Sequence, residues 1–284
     1  MRKGLLVYNP SAGRLRLTES KLRELTDKLR HFGWEVESCE SRPEGQRLPL
    51  DDKGLIVVYG GDGTIHDVIG QAVQAGVPLG IIPSGTANVL AHELGLPLNH
   101  DQAIDVIGRG HRRRIHVARA DGQYFHLMGG VGPDAYLNQR VHPILKRFLG
   151  VSAYWLTGLL RFWGYKLQPF EVTIDGREKL TATFAVVSNS RYYGGRLLLT
   201  PLASLLDNEL DVCLFTSTSH LRFLRYLVGA MRGRHVELPD VIYRKEQTVE
   251  VQGSLDIPVQ LDGEMRGYLP MKFSIGGEAV EIMV

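Results

Sequence analysis

The chemistry-bearing residues of this chain fall in a few short loops. Gly60-Gly61-Asp62-Gly63-Thr64-Ile65-His66 closes the apolar run LIVVY and opens a helix-like pattern. A strand that ends in glycines and opens a helix aims backbone N–H groups at an anion, and the helix dipole favours negative charge there. No Gly-Lys-Ser/Thr follows, so this is not a P-loop. The plainer alternative is a tight turn in which Asp62 or Thr64 caps the helix. Pro83-Ser84-Gly85-Thr86-Ala87-Asn88 repeats the arrangement after LGII, and Asn9-Pro10-Ser11-Ala12-Gly13 does so after GLLVY. In a parallel sheet all three loops lie at the carboxyl edge, where ligands bind. Together they point to a nucleotide.

Three further segments carry polar chemistry. Leu206-Asp207-Asn208-Glu209-Leu210-Asp211 clusters carboxylates before a strand-like run. Such a cluster suits a hard, oxygen-preferring cation such as Mg²⁺, or is a polar Asx-type turn. Leu261-Asp262-Gly263-Glu264 joins two β-like runs, and Asp-Gly is a hairpin signal. Gly130-Val131-Gly132-Pro133-Asp134-Ala135 imitates the dinucleotide fingerprint. It lacks the acidic residue about 20 positions on that a Rossmann dehydrogenase requires. His66, His92 and His116 show no metal-ligand spacing with one another.

The elements that must hold these loops read as two halves. GLLVY, Trp34–Ser38, LIVVY and LGII are strands. Leu22, Leu25, Leu29 and Phe32 mark a helix, as do Ile65, Val68, Ile69 and Ala72. Alternating strands and helices with short joins predict a mostly parallel sheet covered by helices. After about Arg112 the runs become rich in Val, Ile, Thr and aromatics, with Gly, Asp and Pro between them. That pattern predicts an antiparallel sandwich, interrupted by helices near 143–165 and 220–231.

Composition sets broad limits. The 284 residues are 44% hydrophobic and 23% charged, ordinary for a globular protein with a substantial core. The net charge of +2 gives no argument for nucleic acid. Cys39 and Cys213 lie far apart and form no CxxC pair, which fits a reducing compartment. No secretory leader and no apolar run near the roughly 20 residues of a membrane span are visible. The expectation is a cytoplasmic protein.

In order along nearly the whole chain, YNPSAG, VVYGGDGTIHDVI, GIIPSGTANVLAHELGLP, GGVGPDA, the YYGG…TPLAS…LDNELDV stretch and LDGE resemble the diacylglycerol kinase catalytic-domain family. These are lipid kinases related to sphingosine kinases and, more distantly, to NAD kinases. GGDGT alone is shared with NAD kinases; the other segments favour the lipid kinases. Three positions depart from the usual pattern, namely Val89, His116 and Asn208.

The resemblance implies an α/β plus all-β architecture. A Rossmann-like nucleotide-binding domain would span 1–117 with a strand returning at about 272–284. A β-sandwich for lipid and Mg²⁺ would span 118–271, with ATP in the cleft between the two. It implies transfer of the γ-phosphoryl of ATP to a lipid hydroxyl. Asn9, Pro10, Ser11, Ala12, Gly13, Ser41, Gly60 to His66, Thr86 and Glu264 would contact or approach nucleotide. Asp207 would hold Mg²⁺ with Ser204 and Glu209. Asp262 is the expected general base, with Asp62 the alternative, otherwise organising phosphate and metal. The acceptor would be met at a membrane surface through transient peripheral association, and a homodimer stays open. The residues themselves leave two rivals: a kinase for a soluble acceptor such as NAD, and a non-catalytic lipid-binding module regulated by ATP. The mixed aromatic and basic stretch 143–165 and the arginines 222, 225, 232 and 234 are the candidate interfacial regions.

Overall fold

The computed structural model describes residues 1–10, 18–41, 47–138, 162–195 and 197–284. Ser11, Ala12 and Gly13 of the first loop, and residues 143–161 of the aromatic-basic stretch, lie outside the described residues. The chain divides into two compact units, Met1–Ile115 with Glu278–Val284, and His116–Gly277.

The first unit is a parallel sheet with helices. In chain order its elements are β1 (Arg2–Tyr8), α1 (Glu19–His31), β2 (Trp34–Glu40), β3 (Ile56–Gly60), α2 (Asp62–Ala75), β4 (Leu79–Pro83), α3 (Val89–Leu94), α4 (His100–Arg109) and the start of β5 (Arg112–Ala120). The sheet order is β2-β1-β3-β4, all parallel. The Thr18 hydroxyl caps α1 by accepting the Lys21 N–H at 3.2 Å. Leu25 and Leu29, one turn apart, are fully buried with Leu6, Val57 and Ile82. Helix α4 was not anticipated from the sequence. Its signals are the Asn99 side chain, which accepts the N–H groups of Asp101 and Gln102, and Gly110 in the left-handed region at its end.

The second unit is an antiparallel sandwich. Its further elements are β6 (Gln123–Phe125), β7 (Met128–Val131), α5 (Pro133–Asn138), β8 (Phe170–Ile174), β9 (Glu178–Ala182), β10 (Phe184–Ser188), β11 (Tyr192–Tyr193), β12 (Leu197–Leu198), β13 (Leu210–Phe215), α6 (His220–Ala230), β14 (Val241–Glu246), β15 (Thr248–Gln252), β16 (Pro258–Leu261), β17 (Glu264–Tyr268) and β18 (Met271–Met283). One sheet runs β14-β13-β10-β7-β16-β17. In the other, β15 pairs with β8 and with the first half of β18, and β8 pairs with β9. Alternate residues such as Val172, Val212, Val251, Val259 and Phe273 fill the interior. The last residues of β18 belong to the first unit, where Ile282 pairs in parallel with Leu79 of β4.

Under α6, His235 is fully buried, stacked on Phe215 at 5.8 Å, with Nε2 2.9 Å from the Leu199 carbonyl. Burial holds its pKa below the ordinary histidine value. The unfolded chain therefore binds this proton more readily than the folded one. Stability is full above the unfolded pKa near 6.5 and falls as pH drops through it. The expected outcome is a thermal midpoint that declines from pH 7.5 to 5.5, with a shallower decline in His235→Gln. Equal slopes would refute the assignment.

Candidate functional site

In the first unit the predicted loops do meet at one sheet edge. Strands β1, β3 and β4 run in register, with Tyr8 beside Tyr59 and Gly60 beside Pro83. Asn9, Gly61 and Ser84 therefore leave the sheet together. Ser41 joins them, because its N–H donates to the Tyr8 carbonyl at 2.6 Å. Gly61 precedes the 14 residues of α2, whose first N–H groups point out of this edge. Thr86 stands exposed at the tip of the second loop. Such an edge suits a polyphosphate.

The glycines here have a more immediate reason than ligand approach. A Cβ on Gly61 would come within 2.8 Å of the Gly85 Cα, and one on Gly85 within 2.6 Å of the Gly61 Cα. The two loops lie back to back, and each glycine is required by the other. The Ser84 N–H, donating to the Gly60 carbonyl at 2.9 Å, locks them further. Asp62 completes the junction. Its carboxylate accepts the N–H of Val89 at 2.9 Å and of Leu90 at 3.0 Å, the first two residues of α3. One loop thus caps the helix that follows the other. Asp62 caps α3 and not its own helix, and both its oxygens are engaged. Thr64, Ile65 and His66 are buried.

In the second unit, Asp262 (φ 51°) and Gly263 (φ 87°) form the two-residue turn between β16 and β17. Two successive positive φ values define the type I′ hairpin, which Asp-Gly favours. The Asp262 carboxylate accepts three backbone N–H groups, from His126 at 3.0 Å, Leu127 at 2.8 Å and Met128 at 3.0 Å. His126 Nδ1 lies 2.8 Å from the same group, and both side chains are wholly buried. This carboxylate ties the β16–β17 turn to the β6–β7 join. Removing it strands three buried donors, each costing about 1–3 kcal/mol. Glu264, the other carboxylate of LDGE, is 49% exposed and 2.9 Å from the Arg266 guanidinium.

A buried network supports the turn from beneath. The Gly263 N–H donates to Gln260 Oε1 at 2.6 Å, and Gln260 Nε2 donates to Asp134 Oδ2 at 2.8 Å. The Tyr193 hydroxyl donates to the other Asp134 oxygen. Gly130 has no room for a side chain because Asp134 and Gln260 fill the space. The sequence GGVGPDA is therefore a support for LDGE, not a dinucleotide loop.

The carboxylate cluster holds a cation of its own. Lys245 Nζ lies 2.7 Å from Asp207, 3.8 Å from Glu209 and 3.7 Å from Asp211. Burial alone would lower the Lys245 pKa, but its hydrogen bond to Asp207 and the nearby carboxylates raise it overall. Asp211 is fully buried, and burial pushes its pKa up to about 6 despite the Tyr243 hydroxyl 2.6 Å away. Asp207 Oδ1 and Asp211 Oδ2 are buried without a hydrogen bond. Those orphaned oxygens and the all-oxygen donor set fit a hard divalent cation. Ser204 is bound into the turn, its carbonyl 3.4 Å from the Asp207 N–H. Sequence reading missed Lys245 and the depth of Asp211, because the pairing of Asp211 with Lys245 spans α6.

The comparisons with known proteins agree with this layout. The profile of the diacylglycerol kinase catalytic domain matches residues 3–120. That of the YegS C-terminal NAD kinase beta sandwich-like domain matches residues 129–284. A diacylglycerol kinase of Bacillus subtilis (strain 168) is 31% identical over 285 residues, spanning 96% of this chain and 93% of its own. One of Mycobacterium tuberculosis (strain ATCC 25618 / H37Rv) is 31% identical over 236 residues, 80% and 76%. The crystal structure of a diacylglycerol kinase from Bacillus anthracis str. Sterne shares the fold, with TM-score 0.73 and 22% identity over 99% of this chain and 96% of that one. The chain belongs to the diacylglycerol kinase catalytic-domain family. By that membership it is an ATP-dependent lipid kinase.

The loop contact yields a prediction. Gly61→Ala and Gly85→Ala each force a Cβ into a neighbouring backbone, and overpacking of this kind costs about 1–3 kcal/mol. Each variant is expected to melt several degrees lower. An unchanged thermal midpoint in both would refute the contact.

Proposed function

We propose that this chain phosphorylates the free hydroxyl of diacylglycerol, or of a closely related lipid, at a membrane surface, using ATP and Mg²⁺. The observation that carries the reading is the likeness to curated diacylglycerol kinases across both units, 31% identity over 96% of the chain in one case. The loop edge of the first unit supports it by offering N–H groups to a polyphosphate.

Phosphoryl transfer is chiefly positioning and charge neutralisation. The N–H groups at Gly61 to Gly63 would orient the phosphates, with Asn9, Ser41 and Thr86 beside them. Mg²⁺, held by Asp207 with Glu209 and the Ser204 carbonyl, would supply neutralising charge. Glu264, the more exposed carboxylate of LDGE, would accept the proton, with Asp262, the base expected from the sequence, as the alternative. As the lipid oxygen bonds to the γ-phosphorus and loses its proton to Glu264, the bond from that phosphorus to the bridging oxygen breaks and ADP leaves.

Two experiments test this. ATP turnover is measured on mixed micelles of diacylglycerol, ceramide, sphingoid base or phosphatidylglycerol, and on NAD in solution. Phosphatidate is the expected product. Transfer to NAD alone would overturn the reading in favour of a soluble-acceptor kinase, and ATP binding without any transfer would favour a regulatory module. Second, Glu264→Gln is expected to lower turnover about 10²–10⁴-fold, the range for a lost general base, without moving the thermal midpoint. Asp262→Asn should lower the midpoint as well. If Glu264→Gln keeps wild-type turnover, the base lies elsewhere.

A further inference from the structure

Helix α6 has two apolar faces, and among the described residues one is packed into the fold while the other is largely exposed. Tyr226 and Ala230 are buried, and Phe223 stacks on Phe162 at 4.1 Å. On the opposite side Leu221, Leu224, Val228 and Met231 follow the i, i+3, i+7, i+10 spacing of a single stripe. Leu221 is 70% exposed, Val228 68% and Met231 69%. At the start of the helix, Trp163 stacks on His220 with 5.6 Å between ring centroids and is itself 52% exposed.

The charge around this stripe has one sign. From Thr216 to Val236 there is no Asp or Glu, but there are four arginines. Arg222 pairs with Asp240 at 3.5 Å and Arg234 with Glu237 at 3.6 Å. Arg225 and Arg232, on the flank of the stripe, form no ion pair with any described residue. An exposed aliphatic stripe edged by unpaired arginines and an aromatic ring is the pattern of a helix that lies in a bilayer interface. The arginines complement anionic headgroups, whereas an acid-free surface of this kind gives a second copy nothing to pair with them.

We infer that the outer face of α6, with Leu221, Val228, Met231, Arg225 and Arg232, docks this protein on an anionic lipid surface. The inference rests on the lipid-kinase reading, since a diacylglycerol hydroxyl is met at a bilayer, and it names the surface by which the chain arrives there. Both signals are needed, because a short apolar stripe or a pair of cations alone binds only marginally.

The test is co-sedimentation of the full chain with vesicles of phosphatidylcholine containing phosphatidylglycerol, against vesicles of phosphatidylcholine alone. The wild type should sediment with the anionic vesicles and be released by salt. Leu221→Ser/Val228→Ser/Met231→Ser, and separately Arg225→Gln/Arg232→Gln, should each weaken binding about tenfold or more, with thermal midpoints unchanged because these side chains are exposed. Turnover on a water-soluble short-chain diacylglycerol should be unaffected in both variants and lost only on vesicles. A wild type that ignores anionic vesicles, variants that bind them like wild type, or variants whose sole effect is to abolish self-association would each overturn the docking surface. Absence of turnover on the short-chain substrate in the wild type would instead sink the kinase reading.

Discussion

The structure depends, in both units, on an aspartate that gives its carboxylate to the backbone. Asp62 receives the first two N–H groups of α3, and Asp262 receives three successive N–H groups between β6 and β7. Loops that leave a sheet have backbone donors that strands and helices do not satisfy. A short acidic side chain from a neighbouring turn supplies several acceptors at once, and such charge-assisted bonds are the strong ones. Each aspartate therefore converts two separate loops into one rigid piece.

Much of the fold was legible in the sequence. Period-3.6 and apolar-run patterns gave α1, α2 and the strands of the first sheet, because there burial and periodicity coincide. The hairpin at Asp262-Gly263 was legible because positive φ at two consecutive positions admits few residue types. The shift to short, turn-punctuated runs near Arg112 announced the sandwich. Helix α4 escaped, as its apolar positions Ala103, Ile104 and Ile107 are few and its cap is a single asparagine.

The site was legible as a set of loops but not as a set of roles. Motif order placed Asn9, Gly61 and Thr86 at one edge, since a parallel sheet aligns its carboxyl ends, whereas Ser41 came only from the family resemblance. What a carboxylate does there depends on its partners, and those come from far away in the chain. Asp262 finds its donors at 126–128, and Asp207 finds Lys245 across a helix. Gln260 gave no signal, because a buried glutamine reads as an ordinary polar position until its two hydrogen bonds are seen, and Asp134 read only as part of a dinucleotide-like motif.

The return of β18 bears on how such a protein can be made. Ile282 completes the edge of β4, Met283 lies in the core of the first unit, and the Val284 N–H donates to the His111 carbonyl. A ribosome delivers β4 about 200 residues before Ile282. Until the whole second unit has emerged, β4 presents an unpaired strand edge, the template on which chains add to one another. The first unit is thus continuous in space but interrupted in time. Its sheet closes only after the second unit has been synthesised, which gives the nascent chain a long interval in which a chaperone, or a rapidly folding sandwich, has to keep that edge from the wrong partner.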